Sequence, residues 1–492
     1  MLAPTNIRPF ETNTGSARLV KPGYLLVVLV ALVTVGWAAS KLEFIGVGLF
    51  AGVLIGIVYC YYLFTRPIIG LYTAVVLSFI LLGAGRYIKG VQVGLGMDAI
   101  LILSYIALFF NRFRERINWA PARKNVTVIS FIWFAYSIFQ IINPEARSFE
   151  AWFSGRGIGI YMMLLVPLTL LFIDDKKKLN TFLLLWGVFS ILATMKAIMQ
   201  VKIGVDAWEQ GWLNEGNYKT HVLFGKLRAF SFLSDAGQFG ANQGYSAVMA
   251  TIVAIAEKNW KRKWFFIIVA VLAFYGMIIS GTRGALSVPI SGLGLYFILR
   301  KNKTVMVIGA VLLIAIFYFF KFTTIGQGNA DIRRMRTAFD PNDASLQVRI
   351  NNQKLLKNYM ASRPFGGGIG HGGVKAQRFL PNAYLSQIPT DSWYVLIWVE
   401  QGIVGLVMHL AILFYILIKG SYRVMFRIRD PELKLKMAAL ASGMFGVMVA
   451  SYGNAVLGQM PTNVLIYISM ALLLSSEKLD SPIEAKTVKT VK

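Results

Sequence analysis

The segment Trp264-Phe-Phe-Ile-Ile-Val-Ala-Val-Leu-Ala-Phe-Tyr-Gly-Met-Ile-Ile-Ser280 decides the fold class of this chain, because it contains no charged residue. It follows the basic run Lys261-Arg-Lys263 and precedes the short polar stretch Gly281-Thr-Arg-Gly-Ala285. An apolar stretch of about 17 to 25 residues can cross the hydrocarbon core of a bilayer as a helix. The segment therefore predicts a membrane-spanning helix.

The composition of the whole chain agrees with this segment. Of its 492 residues, 56% are hydrophobic and only 15% are charged, whereas a soluble domain has roughly 45–50% apolar and about 25% charged residues. The net charge of +27 would suggest nucleic acid as the partner of a soluble protein, but in a membrane protein it indicates topology and anionic lipid. The single cysteine, Cys60, excludes an internal disulfide and a cysteine-based metal cage.

Similar apolar segments recur along the chain and predict an all-α polytopic membrane protein with about 14 transmembrane helices, and no fewer than about 12. The predicted spans are Tyr24–Ser40, Phe44–Phe64, Pro67–Leu82, Met97–Phe110, Val126–Ile142, Gly157–Ile173, Leu179–Ile198, Gly240–Ala256, Trp264–Ser280, Ala285–Leu299, Val305–Phe320, Trp393–Ile418, Met437–Leu457 and Asn463–Leu474.

The distribution of basic residues predicts the orientation of these spans. If the chain alternates across the membrane, the short loops 112–116, 176–178, 258–263, 300–303 and 419–436 all fall on one side, and all are rich in lysine and arginine. By the positive-inside rule that side is cytoplasmic, with both termini inside. The predicted organisation is a cytoplasmic tail (1–22), helices one to eleven (23–320) with a periplasmic loop near 199–239, a large, partly helical periplasmic loop (321–392), helices twelve to fourteen (393–475) and a second cytoplasmic tail (476–492).

The predicted periplasmic face also carries arginines, where the rule expects few. The loop 321–392 contains ten lysines and arginines against four aspartates. Arg156, Arg228 and Arg283 lie at the ends of predicted spans on the same face, and Arg349 lies in the large loop. Long basic loops are tolerated, and one arginine can simply reach the lipid headgroups. Four arginines at one depth favour an anion site, because one guanidinium group can bind two phosphate oxygens at once. Such a site would suit a lipid-linked pyrophosphate.

Five segments occur in an order and context that resemble one protein family. They are Ser280-Gly-Thr-Arg-Gly-Ala285, Ser345-Leu-Gln-Val-Arg349, Pro364-Phe-Gly-Gly-Gly-Ile-Gly370, Asp391-Ser-Trp-Tyr394 and Glu400-Gln-Gly-Ile-Val-Gly405. Together they resemble the O-antigen ligase/polymerase superfamily of bacterial inner-membrane glycosyltransferases, whose fold is related to the multispan GT-C enzymes. The resemblance is strongest between Trp264 and Gly405.

The resemblance implies the activity. Such enzymes transfer a glycan from undecaprenyl pyrophosphate to the hydroxyl of a glycan or lipid acceptor on the periplasmic side, with inversion at the anomeric carbon and without metal, nucleotide or other cofactor. The partners expected are therefore the lipid-linked glycan, the acceptor and the membrane, and no nucleic acid. Polymerase and ligase both remain open, with a slight preference for a polymerase. The alternative is a polysaccharide or lipid-linked oligosaccharide transporter (flippase), but no internal repeats or paired broken helices are evident in the sequence.

The candidate catalytic residues are Asp391 and His371. Ligases of the family place a His-Asn pair where this chain has Asp391-Ser392, so the base is either Asp391 or a residue elsewhere, such as His371. Nearby arginines would favour the ionised carboxylate, which suits Asp391 to orient an acceptor hydroxyl or an arginine. A purely structural role for Asp391, as the N-cap of the helix that starts near Trp393, is equally open.

Other polar residues receive structural interpretations. Gly368-Ile-Gly-His-Gly-Gly373 matches a phosphate-loop pattern but lies in a long loop, so it predicts turns. His409 is expected to be a hydrogen-bonded core residue, and the three histidines lack the spacing of a zinc site. For Asp98 and Glu400, which lie at or in spans, functional and packing roles are equally open.

Overall fold

The computed structural model describes residue 36 and residues 52–88, 92–111, 118–223, 225–328, 330–337 and 344–480. In this part of the chain almost all regular structure is helical, and the only strands are the two-residue β1 (Val222–Leu223) and β2 (Lys226–Leu227), which pair antiparallel.

The helices that correspond to predicted spans are α1 (Gly52–Thr65), α2 (Ile68–Ala84), α3 (Gly94–Asn111), α4 (Asn125–Phe139), α6 (Gly157–Phe172), α7 (Lys176–Lys202), α10 (Ala236–Ala256), α11 (Trp260–Ile279), α12 (Ser287–Leu299), α13 (Lys303–Phe322), α17 (Trp393–Phe426), α18 (Pro431–Ala450) and α19 (Thr462–Leu473). The remaining helices are α5 (Phe149–Gly155), α8 (Ala207–Trp212), α9 (Tyr218–His221), α14 (Ala330–Arg336), α15 (Ala344–Met360), α16 (Tyr384–Gln387) and α20 (Ser476–Asp480).

The fold class predicted from the sequence is confirmed. In the part of the chain that the structure describes, seven helical segments are long and apolar enough to cross a membrane, and five shorter ones are also apolar. Twelve of the predicted spans, from Pro67–Leu82 onward, correspond to helices whose ends differ by up to eight residues, and α1 corresponds to the end of the span Phe44–Phe64. The span Tyr24–Ser40 and the N-terminal tail lie outside the described residues, apart from residue 36, so the count of fourteen stays a prediction.

The chain divides into two compact units. The first, residues 1–65, contributes α1 to the described part, and this helix carries the single cysteine, Cys60. The second unit, Arg66–Lys492, contains every other helix and all the residues discussed below.

Helices α10 and α18 form the centre of the second unit, where α10 packs along α11, α12 and α18. Polar side chains hold α10 to its neighbours: Ser190 Oγ donates to Gln243 Oε1 (2.8 Å), and Trp186 Nε1 donates to Ser246 Oγ (2.8 Å). Small residues allow α12 and α18 to approach closely, since a Cβ at Gly292 would lie 2.9 Å from the carbonyl oxygen of Ser442. By contrast, α13 buries only Gly309, as expected of a helix that faces lipid.

One end of the bundle carries the connections that matter for function, and we call it the loop face. It consists of the described residues among 85–93, 140–156, 203–235, 280–286, 323–392 and 451–461. These connections contact one another: Arg86 Nη1 donates to the carbonyl of Ser231 (2.7 Å), and Asn143 Nδ2 donates to the carbonyl of Phe365 (3.1 Å). The helices therefore alternate in direction between the loop face and the opposite end.

Two predicted boundaries are wrong in ways that affect the loop face. The span Met437–Leu457 ends at Ala450 in the structure, so residues 451–461 form a connection between α18 and α19 rather than two further helical turns. The span Gly240–Ala256 begins at Ala236, because Asp235 Oδ1 accepts the backbone N–H of Gln238 (2.9 Å) and caps the helix.

Candidate functional site

The turn between α11 and α12 is the first part of the site. Gly281 has a positive φ of 57°, which permits the chain to reverse directly after α11. Thr282 Oγ1 donates to the carbonyl of Ala236 (2.8 Å), which ties the turn to the start of α10. Arg228 lies across the turn: its Nε donates to the carbonyl of Ser280 (3.2 Å) and its Nη2 to Thr282 Oγ1 (2.9 Å). The guanidinium is thus placed by main-chain and hydroxyl oxygens of the turn.

Two further arginines lie beside Arg228. Arg334 Nε, on α14, donates to the carbonyl of Gly281 (2.5 Å), and Arg283 Nη1 donates to Thr337 Oγ1 (2.8 Å) just after α14. Burial, together with the positive charges of Arg334 and Arg283 and against the opposing charge of Asp235, lowers the pKa of Arg228 to about 10. Three guanidinium groups therefore lie within electrostatic reach of one another, and we call them the arginine cluster (Arg228, Arg283 and Arg334).

Arg349 and Asp391 form the second part of the site. Arg349 Nε, on α15, lies 3.8 Å from Asp391 Oδ2, and both side chains are partly exposed. They line a small pocket together with Asn352, Gln353 and the residues that flank Asp391. Asp391 has a positive φ of 35°, in the left-handed region that non-glycine residues rarely adopt, so the chain before α17 holds this carboxylate in a strained conformation.

Asp391 is not the helix cap that one interpretation of the sequence expected. The N-cap of α17 is Ser392, and its side chain accepts no capping hydrogen bond. Ser392 Oγ instead donates to the carbonyl of Ser451 (3.3 Å), and the backbone N–H of Trp393 donates to the same carbonyl (2.9 Å). The start of α17 is therefore positioned by the connection after α18, which leaves the carboxylate of Asp391 directed to Arg349.

The connection after α18 also joins the two parts of the site. A Cβ at Gly453 would lie 3.8 Å from Arg349 Nη1, and a Cβ at Gly284 would overlap Asn454 Nδ2. Gly453 thus adjoins Arg349, while Asn454 lies against the turn that carries Arg283. The arginine cluster and the Arg349–Asp391 pair therefore border one connection on the loop face.

An acidic residue balances part of this positive charge. Ser234 Oγ donates to Asp235 Oδ2 (2.9 Å), beside the N–H bond that caps α10. Burial would raise the pKa of Asp235, but the charge of Lys375 and the hydrogen bond from Gln238 outweigh it and lower the pKa. Asp235 is therefore an ionised carboxylate next to the arginine cluster.

His371 lies in a different environment from Asp391. Its Nε2 accepts the backbone N–H groups of Arg147 (3.0 Å) and Ser148 (3.2 Å), and its Nδ1 contacts the carbonyl of Ile369 (3.0 Å). The ring is buried, and burial lowers its pKa. These contacts require the neutral ring with its proton on Nδ1. Both ring nitrogens are therefore used, and Nε2 holds the loop before α5.

Arg156 is likewise bound to other residues of the protein. Its Nε donates to Asp98 Oδ2 (3.0 Å), its guanidinium stacks 3.9 Å from the ring of Phe153, and both members of the ion pair are largely buried. Asp98 thus has a defined role as the counter-ion of Arg156 at the start of α3. The structure brings together Arg228, Arg283, Arg349 and Asp391 from the predicted set, and it places Arg156 and His371 in other contacts.

The glycine-rich segment Pro364–Gly370 docks the large loop onto α17. The helix is interrupted at Gly402 (φ 70°), where the backbone N–H of Val404 donates to the carbonyl of Pro364 (3.3 Å). The N–H groups of Gly367 and Gly368 donate to the carbonyls of Val399 and Glu400 (2.8 Å each). A Cβ at Gly366 would overlap the backbone of Glu400 and Gly402, so glycine is required for this approach. The segment therefore holds the large loop to α17.

Sequence reasoning missed Arg334, Asn454 and Asp235 as site residues. Arg334 stands in the run Arg333-Arg334-Met335-Arg336, where nothing local distinguishes it from its neighbours. Asn454 was assigned to a transmembrane span. Within the described part of the chain, no three His, Cys, Asp or Glu side chains are grouped as metal ligands.

Comparison with known proteins agrees with the motifs. Residues 268–410 match the O-Antigen ligase family, and this range includes Arg283, Arg334, Arg349 and Asp391. The chain is also similar to an O-antigen polymerase from Salmonella muenchen, with 22% identity over 296 residues that cover 57% of this chain and 71% of that protein. Both matches therefore support the resemblance to the O-antigen ligase/polymerase superfamily that the motifs indicated.

Proposed function

We propose that the protein is a glycosyltransferase of the periplasmic face that moves a glycan from undecaprenyl pyrophosphate to an acceptor hydroxyl. Its superfamily and its apolar helices point to a multi-pass protein of a bacterial inner membrane. The basic loops opposite the loop face support an orientation with that end cytoplasmic and the loop face periplasmic.

The arginine cluster is the observation that carries the proposal. Burial is the main reason for the lowered pKa of Arg228, and the positive charges of Arg334 and Arg283 add to it, so a bound polyanion would be attracted to the cluster. Arg228 donates to Thr220 on one side and to Ser280 and Thr282 of the turn on the other, while Arg283 and Arg334 bond to Thr337 and Gly281. In the proposed complex Arg283 and Arg334 bind the pyrophosphate oxygens, and Arg228 supplies charge behind them.

The proposed reaction is a displacement at the anomeric carbon of the donor, next to the Arg349–Asp391 pair. The oxygen of the acceptor hydroxyl forms a bond to the anomeric carbon while the bond from that carbon to the phosphate oxygen breaks, with inversion of configuration. The electron pair of the broken bond stays on undecaprenyl pyrophosphate, whose growing charge is stabilised by the arginine cluster and Arg349 without a metal ion. Preorganised cations of this kind make the pyrophosphate a good leaving group.

In this proposal Asp391 receives the acceptor. Its carboxylate lies at the edge of the pocket, next to Arg349, and can accept the hydrogen bond and then the proton of the acceptor hydroxyl. His371 would have to break its bonds to two backbone N–H groups before it could act as a base. We therefore assign the catalytic role to Asp391 and a positioning role to His371.

The relative from Salmonella muenchen favours a polymerase over a ligase. Deletion of the protein from its host distinguishes the two. Loss of long surface polysaccharide with retention of single capped units indicates a polymerase, whereas accumulation of full-length lipid-linked polymer indicates a ligase.

The direct test is transfer by the purified protein. Full-length protein in nanodiscs is mixed with lipid-linked repeat units, and new glycosidic bonds and released undecaprenyl pyrophosphate are measured. We expect transfer by the wild type, and strong loss in Arg283→Ala and Arg349→Ala. Arg300→Ala, which removes an exposed arginine from the opposite end of α12, serves as the control. Unchanged transfer in both loop-face variants would refute the pyrophosphate site.

A further inference from the structure

A pair of stacked tyrosines lies on the loop face, away from the residues assigned to chemistry. The rings of Tyr359 and Tyr384 are stacked with their centroids 4.5 Å apart and an interplanar angle of 25°. The guanidinium of Arg363 lies 3.9 Å from the ring of Tyr359, and its Nε lies 3.3 Å from Glu145 Oε1. Tyr384 is still 43% exposed. An aromatic ring is thus held rigidly in position by its neighbours while much of its surface faces solvent.

The tyrosine pair is connected to the candidate site by one face of α15. Positions 349, 352, 356 and 359 share this face, at the spacing that brings helical side chains into one row. Leu356 is fully buried and packs with Leu385, Ile388 and Val399, which fixes α15 against the segment before α17. Asn352 Nδ2 donates to the carbonyl of Pro389 (3.3 Å).

We call this line of contact the α15 seam, defined by Arg349, Asn352, Tyr359, Tyr384 and Asp391. Arg349 and Tyr359 are ten residues apart on one helix, which corresponds to about 15 Å along its axis. The seam therefore begins at the Arg349–Asp391 pair and ends at an exposed aromatic ring.

The chemistry of the seam matches that of a carbohydrate. Sugars present flat C–H faces, which pack on aromatic rings, between hydroxyl groups, which bond to amides and charged groups. The exposed ring of Tyr384, the amide of Asn352 and the Arg363–Glu145 pair offer both kinds of contact. The ring lies too far from Asp391 to touch the sugar that reacts.

We propose that the α15 seam binds the glycan chain of a substrate several sugars away from the reacting bond. The inference rests on the proposed glycosyl transfer at the Arg349–Asp391 pair and adds a recognition site to it. A transferase with this site would prefer long glycans over single repeat units, because only long glycans reach Tyr384. Either the donor or the acceptor could supply the bound chain, and the experiment separates them.

The test uses the full-length protein in nanodiscs with lipid-linked glycans of one repeat and of several repeats. For Tyr384→Ala we expect KM for the long glycan to rise roughly tenfold, the factor for about 60 Å² of apolar surface no longer buried. The value of kcat, and KM for the single repeat, should not change. Tyr384→Leu keeps part of this apolar surface without a flat ring and should show a smaller rise, whereas Tyr384→Phe should behave as wild type. Tyr218→Ala, which removes an exposed tyrosine from another part of the loop face, is the control.

Two combinations of substrates show whether the bound glycan belongs to the donor or to the acceptor. A long donor with a short acceptor, and a short donor with a long acceptor, are assayed in parallel, and the rise in KM should follow one of them. A wild-type KM for long glycans in both Tyr384→Ala and Tyr384→Leu overturns the inference, as does an equal loss for long and single repeats. If the wild type formed no glycosidic bond at all, the proposed function would fail first, and the two failures are therefore distinguishable.

Discussion

Replacement of Arg334 by alanine tests the arginine cluster most sharply, because Arg334 lies next to a matched control. Arg333 precedes it in α14 but is exposed, with its Nη1 bonded to the carbonyl of Gln327 (3.2 Å). Arg334 instead donates to the carbonyl of Gly281 (2.5 Å) and lowers the pKa of Arg228. Arg334→Ala and Arg333→Ala each remove one positive charge from α14, but the two arginines lie at different distances from the proposed pyrophosphate.

The magnitude follows from what each contact contributes. A hydrogen bond to a charged group is worth about 1.5–3 kcal/mol, so loss of one phosphate contact should lower kcat/KM by about 10- to 150-fold. Loss of the bond to Gly281 should cost the fold about 1.5 kcal/mol, the lower end of the same range, because Arg334 is only half-buried. Removal of a charge that repels Arg228 should offset part of this cost. In Arg334→Ala the free energy lost by the reaction should therefore exceed the free energy lost by the fold.

The assay measures release of undecaprenyl pyrophosphate in nanodiscs, beside the thermal unfolding of each variant. Arg334→Lys should recover part of the activity, since an ammonium group keeps the charge but cannot bind two oxygens as a planar fork. Arg333→Ala should resemble the wild type in both measurements. Wild-type kcat/KM in Arg334→Ala, or an equal loss in Arg333→Ala, would show that the charge near Gly281 does not meet the substrate.

Three further predictions concern residues around the arginine cluster. Asp391→Gly should raise the free energy of unfolding by about 1 kcal/mol, because glycine accepts the positive φ without strain, while transfer falls roughly 100-fold or more. Arg156→Ala should cost about 3–5 kcal/mol by leaving Asp98 buried without its partner, and the double variant Asp98→Asn, Arg156→Gln should recover most of the stability and the transfer activity. Burial lowers the pKa of His371 in the folded protein, so as the pH falls the unfolded chain binds a proton at a higher pH than the folded protein does. Thermal stability should therefore fall as the pH drops below about 6.5. His371→Gln, which has no titrating group, should reduce that fall.

Each of these expectations has a contradicting result. Full transfer activity in Asp391→Gly would remove this carboxylate from the reaction. A double variant at positions 98 and 156 that is stable but inactive would show that Arg156 contacts the substrate directly. Thermal unfolding that does not depend on pH between about 6.5 and 5 would mean that the histidine ring is not held neutral by its backbone bonds.

The helices could be predicted from the sequence because the membrane imposes a simple rule on them. Uncharged segments of sufficient length must become helices in hydrocarbon, where each backbone group needs an internal partner. Trp264–Ser280 therefore corresponds to α11 (Trp260–Ile279), and the ends differ because Asn259 caps the helix before the apolar residues begin. The boundary at Ala450 was missed since residues 451–457 continue the apolar pattern of α18.

The site was less predictable, because an arginine at a helix end has the same sequence pattern whether it meets a ligand or an acid. Arg156 and Arg283 both follow a glycine or threonine at the end of a span. Only the fold shows that Asp98, some sixty positions earlier, lies against Arg156, while Arg283 lies among other arginines. Pairing of this kind depends on which helices become neighbours, and hydrophobic periodicity carries no information about neighbours.

The contacts of the large loop explain how a site of this kind can be precise although it is built from connections. Arg349, Asp391 and Arg334 all belong to residues 323–392, yet the loop also meets other connections: Arg349 adjoins Gly453 after α18, and Arg334 donates to Gly281 after α11. Rigid placement therefore requires that the loop be held to the helices, and the close approach of Gly366 to the break at Gly402 does this. The glycine-rich motif is in this view as necessary to the reaction as the arginines, although it is distant from the charges that it aligns.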